Sequence, residues 1–448
     1  MYIQNRNELV SHGYKQGRKA VIDIIEHALQ AVDPYRATRE LVHLEGDILS
    51  VGYLNFDLSK RGDIYLLGMG KATFPIAKAM EEILGERITE GLIIVKEGQK
   101  GDLKRVKVRE ASHPLPDSRG LEAAKEMKAM AERAREGDIV FCAITGGSSA
   151  LAPLPVSCVS LEEKRGIHEL LLRSGATIRE INAVRKHLSD IKGGKLALSI
   201  FPAEIINLTV SDVTEDPLDY ITDPTVPDTS TFGGAILVLR KYDLLGRVPK
   251  SAVDYLQKAT PEMENPKDFG NMPVHTLVLI KSETICEAAS NRAQELGFAS
   301  MILTLTLEGE SREAGAAFAR IGAEIQRCSK PLTPPCVVVA GGETTVTIHG
   351  QCGEGGPNQE FALSAALQLD NERVVIAAID TDGTDGPTDI AGGIVDASTT
   401  EWAKKKDIDI SGHLSHHSAS PVLRELNDAV ITGHTGTNVT DLKILLVD

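Results

Sequence analysis

The sequence predicts an α/β protein, and three observations support this. Short apolar runs rich in β-branched residues, such as 374–379, alternate along the chain with helical segments. Glycine turns follow several of these runs directly, at Gly68–Gly70, Gly146–Gly147 and Gly341–Gly342. Two such turns at equivalent strand ends converge on one crevice, and the helix that follows each offers N–H groups to an anion. The chain has 448 residues, of which 42% are hydrophobic, 25% charged and only 4% aromatic. That is an ordinary soluble composition with room for two or three domains.

Residues 16–32 read as an amphipathic helix, with Ala20, Ile24, Ala28 and Ala31 on one stripe. Residues 63–67 (DIYLL) form the first buried strand. It enters GMGKATFPIAKAMEEIL, a glycine turn that opens a helix. Lys71 stands where that helix begins, suited to a phosphate or carboxylate. The turn is not a Walker A loop, because Ala72 occupies the Ser/Thr position. It is an incomplete dinucleotide fingerprint, because Phe74 occupies the third glycine position. A strand at 91–95 leads through a basic stretch to SHPLPDSRG, a proline-rich loop with His113, and to a helix over 118–135. A loop histidine serves function or is merely hydrogen-bonded locally.

The strand 138–143 leads to Gly146, Gly147, Ser148 and Ser149. This is either an anion cradle or a tight turn whose serine caps a helix. Ser160 to Glu163 and Thr177 to Glu180 are capping boxes, each announcing a helix. The second helix begins a locally basic stretch with Arg179, Arg185, Lys186, Lys192 and Lys195. Arg185 is the candidate for bidentate grip on a carboxylate or phosphate. A strand at 203–210 then meets an acidic loop with Asp212, Asp216 and Asp219, stiffened by Pro217, Pro224 and Pro227. A rigid acidic loop at a strand end positions metal ligands or bases.

Composition shifts after residue 240, and KATPEMENPKDFGNMP reads as a linker, dividing the chain into domains 1–240 and 241–448. Strand 276–280, helix 283–296, strand 300–306 and helix 310–327 open a second α/β run. Strand 336–340 enters the third glycine turn, Gly341, Gly342, Glu343 and Thr344. Residues 345–348 alternate like an antiparallel strand, and Asn358 caps the next helix. Strand 374–379 ends in Asp380, Asp382 and Asp385 among glycines and threonines. Clustered carboxylates beside flexible glycines suit a hard divalent cation with a phosphate next to it; the alternative is a polar Asx turn. A helix at 397–406 follows. His413, His416 and His417 read as a solvated loop rather than a metal site, and 429–447 supply strand, Gly-Thr-Gly-Thr-Asn turn and terminal strand.

A net charge of −15 argues against nonspecific nucleic-acid binding. The six cysteines include no C-x-x-C pair, so neither a zinc site nor a disulfide framework is expected. The first 20 residues lack a signal-type apolar segment. No apolar run reaches the roughly 20 residues of a membrane span. A cytoplasmic protein with reduced thiols and no membrane partner is the expectation.

These blocks together resemble a class II glycerate kinase (glycerate 2-kinase) of the MOFRL type, in the DUF4147 superfamily. The resemblance is carried by GMGKA (68–72), SHPLPD (112–117), TGGSSAL (145–151), NAVRKHLSDIKGGKLA (182–197), SDV (211–213) and PTVPD (224–228). It continues through GGETTVT (341–347), NQEFALSAA (358–366), DTDGTDGPTDIAGGIVD (380–396) and TGHTGTNVTDL (432–442). It implies a Rossmann-like parallel-sheet N-terminal domain, a C-terminal mixed-sheet α/β domain and an active site in the interdomain cleft. It also implies transfer of the γ-phosphoryl group of ATP to D-glycerate with Mg2+. Three places depart from the family pattern. Pro357 stands where relatives often carry arginine, Thr222-Asp223 precede PTVPD, and His416-His417-Ser418 stand where relatives tend to read Asn-Asn-Asp-Ser.

Phosphoryl transfer is mainly positioning and charge neutralisation. On that basis Lys71 takes the transition-state charge. Gly70, Gly146, Gly147, Gly341, Gly342, Glu343, Thr344, Thr437 and Asn438 join it around the ATP phosphates. Asp380, Asp382 and Asp385 take Mg2+. Ser148, Ser149 and Arg185 bind glycerate, with Arg185 also the substitute for the family arginine, and Asp212 orients the hydroxyl or accepts its proton. The competing expectations are an NAD(P)H-dependent hydroxypyruvate reductase and a non-catalytic nucleotide-binding protein. The partners expected are small molecules, for a monomer or homodimer.

Overall fold

The computed structural model describes residues 1–99, 101–211, 224–348, 350–370 and 373–448. It divides into two compact units. One joins Met1–Asp33 to Ile280–Asp448. The other starts at Pro34 and runs through Ser211 and the described residues that follow, up to Leu279.

The unit starting at Pro34 opens with the helix Pro34–Leu41, followed by an antiparallel meander of β1 (Val42–Glu45), β2 (Ile48–Val51) and β3 (Leu54–Asp57). Its main sheet contains β4 (Ile64–Met69), β5 (Glu90–Lys96), β6 (Val106–Ala111), β7 (Ile139–Ile144), β8 (Glu204–Val210) and β9 (Val274–Ile280). The spatial order is β6-β5-β4-β7-β8-β9, and the pairs among β4 to β8 are parallel. That order reverses direction between β4 and β7, the switch point of a doubly wound sheet. Every residue of β4 and β7 is buried, as expected of strands covered on both faces. The helix Thr73–Leu84 joins β4 to β5 and stops at Gly85, whose φ of 55° favours glycine. Both capping boxes are formed, starting the helices Leu161–Arg173 and Ile178–His187.

The other unit holds a mixed sheet of β10 (Ala299–Thr304), β11 (Cys336–Gly341), β12 (Val374–Ile379), β13 (Gly392–Asp396), β14 (Ala429–Val430) and β15 (Leu442–Val447). Its order is β10-β11-β15-β12-β13-β14. The β10–β11 pair is parallel and the remaining pairs are antiparallel. The helices Ser311–Cys328 and Pro357–Ala366 pack on each other and bury Val338, Ala340, Ile376 and Leu445. The helix Lys15–Ala31 packs on the helix Glu283–Glu295 and reaches β12 and β15. It is anchored by Arg18, whose Nε donates to Asp396 (2.6 Å) and whose Nη1 donates to Asp428 (2.7 Å) in full burial.

Several elements differ from the sequence expectation. The boundary expected at 240/241 falls inside the unit starting at Pro34, because β9 is an edge strand of its sheet. The first 33 residues belong with the C-terminal sheet instead. The strands β1–β3 and β6 were not anticipated. β6 alternates exposed Lys107 and Arg109 with buried or half-buried Val106, Val108 and Glu110, so its basic side chains masked a strand. Residues 345–348 form no strand; Thr345 makes only an isolated bridge with Glu310. The N-cap of the helix Pro357–Ala366 is Gly356 rather than Asn358. The histidine segment is not a solvated loop throughout. Ile410–Ser415 is helical, and His417 is buried, with Nδ1 2.8 Å from Glu360. All six cysteines are free. No helix among the described residues is long and apolar enough to cross a membrane.

Candidate active site

In the unit starting at Pro34, the two glycine turns leave adjacent parallel strands at the switch point. They are bonded to each other. Lys71 N–H donates to Gly146 O (2.9 Å), and Ala72 N–H donates to Thr145 Oγ1 (3.1 Å). Gly70 has φ of 136°, and a Cβ there would lie 2.1 Å from Thr145 Oγ1. The close approach of the two turns therefore requires glycine. At Gly147, φ is 86° and a Cβ would lie 3.2 Å from Lys71 Cγ and 3.3 Å from His113 Nε2. The Lys71 side chain, the His113 ring and the 146–147 turn thus form one wall. Ser148 is buried and Ser149 is partly buried at the start of a single helical turn.

A second group of cations stands beside them. Lys192 is 2% exposed, and its Nζ donates to Ser149 Oγ at 2.6 Å. An ammonium only donates, so this bond turns the Ser149 proton outward as a donor. Arg185 Nη1 donates to Asn182 Oδ1 (3.1 Å) on its own helix. Burial, then the charges of Arg185, Lys164 and Lys192, pull His168 down to about 4. The arginine expected to grip substrate and the lysine holding Ser149 therefore act on the same imidazole. Lys195 is drawn down to about 8, chiefly by burial, and its Nζ donates to Ser189 O (2.6 Å). Lys186 is buried and pairs with Asp228 at 3.4 Å. The basic stretch is thus largely interior rather than a solvated face. Asp212, assigned to the substrate hydroxyl, lies outside the described residues, as do Asp216, Asp219, Thr222 and Asp223.

In the other unit, β11 and β12 run antiparallel to β15 on its two sides. Gly341 and Ile379 both stand opposite Leu442. Three loops consequently leave one edge of the sheet together: 341–344, 380–386 and 435–441. A set of mutual bonds ties these loops together. Thr435 N–H donates to Asp382 O (3.2 Å), Val439 N–H to Thr381 Oγ1 (3.2 Å) and Gly342 N–H to Thr440 Oγ1 (3.0 Å). Gly383 has φ of 90°, and a Cβ there would meet Gly433 O at 1.9 Å. Thr437 is 1% exposed, and its Oγ1 has no hydrogen-bond partner among the described residues. Buried hydroxyls are normally satisfied, so a missing bond here suits a ligand. Glu343 is exposed, and Thr344 is buried with its Oγ1 accepting from Ser311 Oγ (2.8 Å).

The three aspartates expected to hold a metal behave differently from one another. Asp380 accepts from Asp382 N–H (2.8 Å), and Asp382 Oδ1 accepts from Thr384 N–H (2.7 Å) and Oγ1 (2.6 Å). Asp385 instead spends both oxygens on the start of the helix Pro357–Ala366. Oδ1 accepts from Asn358 N–H (3.1 Å) and Oδ2 from Gln359 N–H (2.9 Å). Burial, then the charge of Asp441, push its carboxyl up to about 7. Among the described residues no three His, Cys, Asp or Glu side chains gather to hold a metal ion. Mg2+ commonly takes one or two carboxylates and completes its shell with water and phosphate. Asp380 and Asp382 fit that demand; Asp385 is committed to capping. Sequence reasoning left Lys192 without a role and missed His168 and Lys443. The signal for Lys443 was a lysine inside the apolar run 442–447.

Two family profiles match the chain. "Domain of unknown function (DUF4147)" covers residues 20–257, and "MOFRL family" covers residues 336–441. A Glycerate 2-kinase from Pyrococcus horikoshii is 43% identical over 432 residues, covering 96% of this chain and 97% of that protein. A D-glycerate 2-kinase from Thermotoga maritima is 38% identical over 433 residues, covering 96% and 98%. The crystal structure of a glycerate kinase from Thermotoga maritima superposes with a TM-score of 0.80 at 38% identity, over 96% of this chain and 99% of that one. With both profiles matched in order and relatives similar along nearly its whole length, the chain belongs to the DUF4147/MOFRL family.

Proposed function

We propose that this protein is a glycerate 2-kinase, transferring the γ-phosphoryl group of ATP to the 2-hydroxyl of D-glycerate. The observation that carries the proposal is the Lys71–Gly146–Gly147–His113 wall at the β4/β7 switch point, in a chain 43% identical to a Glycerate 2-kinase. Charge spreads over the transferring phosphoryl oxygens in such a reaction, so a fixed ammonium is the group most needed. Lys71 supplies it, with its backbone locked by Gly146. Ser149 is polarised by Lys192 to donate to a substrate oxygen. Arg185 lies in the same cationic field and suits the glycerate carboxylate. On the other unit the 341–344 turn and Thr437 suit phosphate oxygens, with Asn438 beside them.

Asp380 and Asp382 would hold Mg2+, which when bound neutralises phosphate charge. Asp385 supports this indirectly, by fixing the start of the helix that its loop faces. Asp212 is retained as the group that orients or deprotonates the hydroxyl.

The test is glycerate-dependent release of ADP by the purified protein, with phosphorus NMR of the product. Formation of 2-phosphoglycerate supports the proposal. The 3-phospho product would change the regiochemistry. NADH oxidation with hydroxypyruvate, with no ADP formed, would replace the kinase by a reductase. ATP binding without turnover would leave a non-catalytic nucleotide-binding protein.

A further inference from the structure

Lys443 lies on β15, between β11 and β12, and is 0% exposed. Its Nζ donates to Gly342 O at 2.5 Å and to Asp441 Oδ2 at 2.9 Å. The sheet does not need this cation. β15 pairs with both neighbours in continuous register from Leu442 to Val447, and an aliphatic side chain would fill the position without burying a charge.

What the ammonium does hold is the turn after β11. Gly342 is tied at both ends of its backbone: its N–H donates to Thr440 Oγ1 (3.0 Å), and its carbonyl accepts from Lys443. Its φ is 124°, and a Cβ would lie 2.1 Å from Leu307 N, so the residue has a single seat. In a trans peptide the carbonyl oxygen and the next N–H point to opposite sides. Lys443 draws the Gly342 oxygen into the sheet, which directs the Glu343 N–H away from it. Gly341, Gly342 and Thr344 are buried and Glu343 is exposed. Thr437, a few residues from Thr440 on the neighbouring loop, holds the buried Oγ1 without a partner.

We propose that Lys443 is a positioning residue for nucleotide: it fixes the Gly342 carbonyl, and with it the seat of the 341–344 turn against a phosphate of ATP. This rests on the kinase reading for the identity of the ligand. It adds a residue that acts from behind the binding turn without touching the ligand.

The test uses the full chain and the Mg2+ complex of a non-hydrolysable ATP analogue, with affinity measured by titration calorimetry. Wild type is measured first. If it binds no nucleotide, the ligand assignment fails and the role of Lys443 falls with it. If it binds nucleotide but phosphorylates no glycerate, the kinase reading fails and the positioning role is still tested by affinity alone.

Lys443→Met is expected to weaken analogue binding about tenfold, the loss of one charge-assisted constraint, and to raise KM for ATP in parallel. KM for glycerate should stay within about twofold, since no glycerate contact is altered. A purely structural lysine would lower Tm and leave the two KM values unmoved. Lys443→Met leaves Asp441 uncompensated, so the pair Lys443→Met with Asp441→Asn serves as the second variant. It is expected to fold and to show the same nucleotide-selective loss. Wild-type affinity in either folded variant overturns the proposal, and so does failure of both to fold, which would assign Lys443 to stability alone.

Discussion

Lys71 owes its place to its backbone before its charge. Its N–H is bound to Gly146 O, so the side chain leaves a turn that cannot swing. Replacing Lys71 by Met should therefore preserve the fold and glycerate affinity while lowering kcat by roughly 10²–10³, as for loss of one preorganised electrostatic group. Steady-state kinetics with thermal unfolding as control checks this, and kcat within a few-fold of wild type would remove Lys71 from the chemistry.

His168 provides a test of the cationic field around Arg185 and Lys192. Its folded value of about 4 lies below the ordinary 6.5, so between those values the unfolded chain binds a proton that the folded chain does not. Stability is then fully kept above about pH 6.5 and falls as pH drops toward 4. His168→Gln should flatten that slope. Urea midpoints at pH 7 and pH 5 for both proteins give the comparison, and an NMR titration of His168 with its midpoint near 6.5 would contradict the packing described. Lys71 and the glycines were legible because they sit in short motifs with a local mechanism. Lys192, His168 and Lys443 were not, because the burial of a cationic or titratable side chain is decided by neighbours far away in sequence.

Elements show the same division between local and distant causes. The two capping boxes, the helix over Lys15–Ala31 and the buried strands β4, β7, β11 and β12 could be read from periodicity and end signals. Such signals lie within a few residues. The meander strands β1–β3 are only four residues each, and β1, β3 and the edge strand β6 carry charged or polar residues on their exposed sides, so none offered a clear apolar run. The start of the helix Pro357–Ala366 is not legible locally, because the acceptor for its Asn358 N–H, Asp385, comes from a loop 27 residues on. The attachment of the helix Lys15–Ala31 was equally hidden. It depends on Arg18 meeting Asp396 and Asp428. Arg18→Leu leaves both carboxylates buried without their cation and should destabilise the protein by about 3–5 kcal/mol. Chemical denaturation measures this; a loss below about 1 kcal/mol would mean that the pair behaves like a surface bridge.

At the scale of the whole chain, the linker-like composition of 258–273 suggested a boundary that tertiary pairing does not respect. Those residues lead into β9, which completes the sheet begun by β4. A fragment spanning 34–279 should therefore fold with cooperative thermal unfolding. A fragment ending at 240 loses β9, exposes the edge of β8 and carries the helix Lys15–Ala31 without its partners, and it should aggregate or remain partly unfolded. Circular dichroism and size-exclusion chromatography of the two fragments decide this. Equal behaviour would show that β9 is dispensable and would favour a boundary at 240/241.

The Arg18 anchor also sets a timetable for biosynthesis. Arg18 leaves the ribosome 378 residues ahead of Asp396 and 410 ahead of Asp428. At ~5–20 residues per second the amphipathic segment around it waits on the order of 20–80 s for its carboxylates to be made. Throughout that interval its apolar stripe is without the sheet that covers it, while the unit encoded between can already fold.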